Sequence, residues 1–174
     1  MTERFQADRY VGATFLRGVP GLIAIAAAAL HSILIAGVAL VLAVWADALA
    51  GWIARRCSLS KTPSVTTTEL LVDLVCFIWA PAQFVLAQTT HPAALAGLAV
   101  FVAAGLFRLA RFGVEGLING RYRGLPVTYN GYIFPLAALA NHYDGNHAPA
   151  LFATVLVVVS ALMVSRKLTV PELG

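Results

Sequence analysis

Apolar runs of roughly bilayer-crossing length follow one another along almost the whole chain, near residues 12–30, 33–54, 69–88, 93–110, 125–141 and 148–165. At 1.5 Å rise per residue, about 20 apolar residues in a helix cross a hydrocarbon core of about 30 Å. Helices satisfy their own backbone groups, so they can stand in lipid where open strands cannot. Six such runs within 174 residues leave room only for short loops. The expectation is an all-α integral membrane protein, a single membrane domain over residues 1–174 built as a bundle of about six transmembrane helices. Charge content agrees: 11% of residues are charged, whereas a soluble domain carries about 25%. A mean hydropathy of +0.82 points the same way.

The first run is the least regular. Its purely apolar part, Gly18 to Leu30, has 13 residues, so a full crossing must take in the segment around Arg17. Upstream, residues 1–11 hold Phe5 and Tyr10 as interface anchors and form a candidate surface helix. The mixed charge of that opening stretch is unlike a cleaved signal peptide, and the N-terminus is expected to be retained.

Basic residues accumulate in cytoplasmic loops of membrane proteins, which gives an internal test of the six-span reading. With six spans, one side receives Arg4, Arg9, Arg17, Arg55, Arg56, Lys61, Arg108, Arg111, Arg121, Arg123, Arg166 and Lys167, all 12 basic residues of the chain. The other side receives all four histidines, His31, His91, His142 and His147, with Asp144. Both termini are therefore expected in the cytoplasm. The net charge of +4 suits anionic lipid headgroups or phosphate-bearing substrates. The basic residues are not interleaved with stacking aromatics on a soluble face, so nucleic acid is not an expected partner.

Of eight acids, only Asp47, Glu69 and Asp73 fall within or beside apolar helices. A charge at the centre of a span costs at least about 2.5–3.5 kcal/mol on insertion scales, so such residues normally face a cavity, a metal or each other. Asp47 lies near the end of the second run and the other two near the start of the third, which places all three at similar depth. Glu69 and Asp73 share a helix face at i,i+4 spacing, and Asp47, Gly51 and Ala54 share another. Converging carboxylates suit Mg²⁺ or Mn²⁺ beside a pyrophosphate, because hard cations take oxygen ligands. Equally open on geometry alone is a plainer arrangement, in which Asp47 pairs with Arg55 or Arg56 while Glu69 and Asp73 stabilise a helix N-terminus.

The pattern resembles the CDP-alcohol phosphatidyltransferase family, whose signature runs Asp-x-x-Asp-Gly-x-x-Ala-Arg, then a glycine, then two aspartates four apart. The chain reads Asp47-Ala-Leu-Ala50-Gly51-Trp-Ile-Ala54-Arg55, followed by Glu69-Leu-Leu-Val-Asp73. The continuation Asp73-Leu-Val-Cys-Phe-Ile-Trp-Ala-Pro81 is similar to the bacterial phosphatidylserine synthase branch. So are Phe107-Arg108-Leu-Ala-Arg111-Phe112 and Tyr122-Arg123-Gly124-Leu125-Pro126. The resemblance implies a homodimeric membrane enzyme that binds CDP-diacylglycerol with Mg²⁺ or Mn²⁺ and transfers its phosphatidyl group to an alcohol, serine in this branch, releasing CMP in phospholipid biosynthesis.

On matching positions, Asp47, Glu69 and Asp73 would be metal ligands and Asp73 the general base. Asp47, Gly51, Ala54 and Arg55 would surround the nucleotide, and Arg108, Arg111 and Arg123 would hold phosphate or the acceptor. The chain departs from the signature where Ala50 replaces the second aspartate, Glu69 replaces the third, and Val65 stands near the glycine position. Ala50 keeps open a catalytically impaired homologue that still binds nucleotide lipid or an active partner. The buried acids also keep open a small transporter that uses them as a relay.

Other features carry weaker chemistry. Cys57 and Cys76 show neither disulfide nor metal-ligand spacing. The stretch His142-Tyr-Asp144-Gly-Asn-His147 matches no helical zinc motif. Glycines 113, 116, 120 and 124 read as a flexible loop, Gly97 and Gly105 as close-packing positions, and Trp45, Trp52 and Trp79 as interface anchors. Tyr129 and Asn130 suit either a cavity or a helix contact.

Overall fold

The computed structural model describes residues 14–56, 63–116, 120–143 and 148–171, with only the backbone of residues 54, 55, 63–66 and 148. The candidate surface helix at 1–11, Cys57 and the 144–147 stretch lie outside the described residues. Among the described residues the chain is all-α apart from two three-residue strands: α1 (Val19–Ala29), α2 (Ile33–Arg56), α3 (Pro63–Leu74), a π-helical turn (Val75–Trp79), α4 (Ala80–Leu86), α5 (Pro92–Glu115), β1 (Arg121–Arg123), a 3-10 turn (Val127–Tyr129), α6 (Asn130–Tyr143), α7 (Ala148–Val164) and β2 (Thr169–Pro171).

Three continuous helical stretches, Ile33–Ile53, Thr67–Leu86 and Pro92–Glu115, are long and apolar enough to cross a membrane. Thr14–Ala29 and Pro149–Val164 are apolar but shorter, and α6 is interrupted by Pro135. The expected runs thus recur as helical rods in the expected order.

Successive rods run up and down. At one end, Arg17 reaches Asp47 and Asp73, Arg111 reaches Val164, and β1 pairs with β2. At the other end, His31 Nδ1 meets the Ala87 carbonyl at 3.3 Å, which joins the α1–α2 turn to the close of α4. That turn is tight because His31 adopts a left-handed φ of 55°, a conformation uncommon outside glycine.

The core is a column of aromatic and small residues. Phe77, Phe84, Phe101, Phe134 and Phe152 are fully buried, and the Phe101 and Phe134 rings meet edge to face at 5.2 Å. Small residues let the rods approach: a Cβ on Gly105 would stand 2.6 Å from Ile78 Cδ1, and one on Gly131 would stand 2.9 Å from the Leu40 carbonyl oxygen. Much of the remaining apolar surface faces outward, including Leu30, Leu34, Trp45, Trp79 and Leu136. A lipid-exposed wall needs such residues.

The middle of the third rod has an identifiable local cause. Pro81 has no N–H to give the carbonyl four residues back, which belongs to Phe77. Asn130, wholly buried at the start of α6, donates its Nδ2 to that carbonyl at 2.8 Å. Just upstream the ladder widens, with the Ala80 N–H reaching back to the Val75 carbonyl. Asn130 is therefore a helix contact.

Candidate functional site

The polar end of the bundle gathers the charges that the apolar helices cannot leave scattered. Arg17, on the helical turn before α1, donates Nη1 to Asp47 Oδ1 in α2. Its Nη2 stands 3.6 Å from Asp73 Oδ1 in α3, near enough for charge attraction and too far for a hydrogen bond. The Arg17 side chain is only 10% exposed, with Asp47 at 24% and Asp73 at 18%. Three rods are thus joined through one guanidinium.

Arg108 completes the cluster from α5. It is 3% exposed, lies in the electrostatic field of Asp73, and sits 5.3 Å from the Phe112 ring centre and 5.7 Å from that of Tyr122. Those rings hold the cation by its attraction to their π faces. Glu69, half-buried on α3, also acts on Asp73 through charge. Several buried polar atoms here lack a hydrogen-bond partner among the described residues: Arg17 Nε and Nη2, Asp73 Oδ1 and Arg108 Nε. Buried polar groups are nearly always paired, so these atoms are open to a further hydrogen-bond partner.

The other expected residues divide. Gly51 lies on α2 with Asp47, and Ala54 and Arg55 continue the same helix, their side chains outside those described. Arg56 lies 4.6 Å over the Trp52 ring. Asp47 is ion-paired with Arg17, and the side chain of Arg55 lies outside those described. Arg111 is engaged with backbone: it donates to the carbonyls of Val164 at 3.0 Å, Met163 at 3.1 Å and Arg123 at 2.9 Å. It thereby caps the end of α7 and fixes β1. Arg123 is exposed and 3.7 Å from Glu115. The structure therefore brings Asp47, Glu69, Asp73 and Arg108 together and leaves Arg111 and Arg123 at the periphery.

The Arg17 guanidinium stands between two of the three expected metal ligands, Asp47 and Asp73. A divalent ion shared by Asp47 and Asp73 would need the space that the Arg17 guanidinium takes, and the Ala50 side chain offers no oxygen. Among the described residues no group of three or more His, Cys, Asp or Glu side chains is close enough to hold a metal ion. Arg17 is the site residue that the spacing of motifs did not reveal. Its signal was an arginine inside an otherwise apolar run, a charge that must find a buried partner.

A separate apolar groove of about 880 Å³ lies toward the opposite end, lined by α2, α4 and α6 residues including Val38, Phe84, Pro135 and Asn141, with Gln88 from the turn after α4. No protein-family model matches the chain, and no curated protein matches it.

Proposed function

We propose that the chain is an integral membrane phosphatidyltransferase of six spans, with both termini and the charged cluster facing the cytoplasm. It takes CDP-diacylglycerol and passes the phosphatidyl group to an alcohol, serine by the sequence resemblance, with CMP released; the same resemblance suggests a homodimer. The observation that carries the reading is the buried cluster of Asp47, Asp73, Arg17 and Arg108 with its unspent hydrogen-bonding atoms. The six-span reading of the sequence puts all 12 basic residues on one side, which supports the orientation.

In this reading Asp73 accepts the proton of the acceptor hydroxyl as its oxygen attacks the phosphorus that bears diacylglycerol. A new P–O bond forms, the bond to the CMP oxygen breaks, and the electron pair leaves with CMP. Asp73 then gives up the proton to solvent. Arg108 and the unpaired N–H groups of Arg17 offset the negative charge of the pyrophosphate, as guanidinium groups do for phosphate. The ring contacts that hold Arg108 keep that charge in place. Gly51, one helical turn beyond Asp47, leaves room for the nucleotide.

CMP release by purified protein in mixed micelles, with CDP-diacylglycerol and serine, inositol or glycerol phosphate, tests the reading. Assays run both with Mn²⁺ and with EDTA. Serine-dependent release is expected, falling about 10²–10⁴-fold in Asp73→Asn through loss of the base. No release with any acceptor, together with binding of CDP-diacylglycerol, would instead favour a second reading that Ala50 motivates: a homologue that binds nucleotide lipid without turning it over.

A further inference from the structure

We propose that Arg17 is the resident cation of the site, neutralising Asp47 and Asp73 in the place a divalent ion would otherwise take. Three observations combine. First, the guanidinium lies between carboxylates from two different rods, paired with Asp47 and 3.6 Å from Asp73. Second, the side chain is nine-tenths buried, so its charge is held there and not shared with solvent. Third, Arg17 Nε and Nη2 have no hydrogen-bond partner among the described residues, so the group neutralises the acids without using all its donors. The remaining N–H groups face a ligand that a metal would have met with open coordination positions.

The charge arithmetic favours this assignment. Three carboxylates, Asp47, Glu69 and Asp73, face two guanidiniums, Arg17 and Arg108, so the cluster keeps one formal negative charge, and a divalent ion would turn it net positive. A divalent ion added to that set would bring two further charges beside a buried guanidinium, which is repulsive at this separation. With Ala50 supplying no oxygen, the ion would also lose a ligand, and affinity follows ligand number and charge. The site is therefore already filled by a cation covalently attached to the fold.

The experiment measures Mn²⁺ directly, so it can fail while the transferase reading stands. Purified protein stripped with EDTA is titrated with Mn²⁺, and bound ion is followed by loss of the free-ion electron paramagnetic resonance signal. Wild type is expected to show no Mn²⁺ site that depends on Asp73. Arg17→Gln is expected to gain one, at about one ion per chain, once the fixed positive charge is gone, and to lose it again in Arg17→Gln/Asp73→Asn. Arg17→Gln should also unfold at lower temperature than wild type and be restored by Mn²⁺, whereas Arg17→Lys, which keeps the charge, should stay indifferent to the ion. A stoichiometric Mn²⁺ site in wild type that Asp73→Asn abolishes overturns the proposal, and that comparison needs no Arg17 variant to fold. A folded Arg17→Gln that acquires no Mn²⁺ site overturns it as well.

Discussion

Replacing Asn130 with alanine tests whether the polar contact beside Pro81 holds the third rod to the fifth. The substitution removes the donor that serves the Phe77 carbonyl at 2.8 Å, in a position with no exposure to solvent. An unsatisfied buried acceptor costs about 1–3 kcal/mol, while hydrogen bonds between membrane helices average about 0.6 and reach about 1.7 kcal/mol. The Phe77 carbonyl is already deprived of its helical donor by Pro81, so the upper part of the membrane range applies, about 1.5 kcal/mol. That is roughly a tenfold shift in the unfolding equilibrium.

The reasoning can be checked independently by restoring the missing donor. Pro81→Ala gives residue 81 an N–H aimed at Phe77, so in the Asn130→Ala background it should return part of the loss. Reversible unfolding in mixed micelles with increasing SDS measures wild type, both single variants and the double variant as a cycle. Asn130→Ala within about 0.3 kcal/mol of wild type, or strictly additive effects of the two substitutions, would refute the account of the π-helical turn.

Two further outcomes follow from contacts already described. Arg111→Ala should release the end of α7 and β1 together, costing about 2 kcal/mol for a charged group that serves three carbonyls and raising amide exchange across residues 121–124 and 163–171; unchanged exchange there would argue against the capping role. Gly105→Ala should destabilise by about 1–3 kcal/mol because the added methyl meets Ile78 at 2.6 Å, whereas Gly97→Ala, with 3.3 Å to Leu156, should cost less; the unfolding series that reports on Asn130 ranks the two.

The apolar runs located the rods because helix length in a membrane is fixed by bilayer thickness, and that constraint is written in composition. Residues 33–54 and α2, for example, differ by two residues at one end. Asp47, Glu69 and Asp73 were legible as a group because charges in apolar helices are rare and must face one another. Arg17 was not, since its partners lie 30 and 56 positions away and nothing local marks them. The backbone role of Arg111 was hidden for a related reason: the carbonyls of Arg123, Met163 and Val164 that it serves are brought to it only by the fold. The β1–β2 pair, three residues on each side, was too short to show any alternating pattern. Asn130 left both a cavity and a helix contact open, and only the position of Pro81 against it decided between them.

The pairing of Arg121–Arg123 with Thr169–Pro171 makes the tail of the chain part of the mechanical support of a distant cation. Tyr122 sits at the centre of that ladder opposite Val170, and its ring is one of the two that hold Arg108. Val170 is thus linked through one ladder and one aromatic ring to a buried guanidinium. Removing Thr169–Pro171 would therefore take away the ladder beside one of the two rings that hold Arg108.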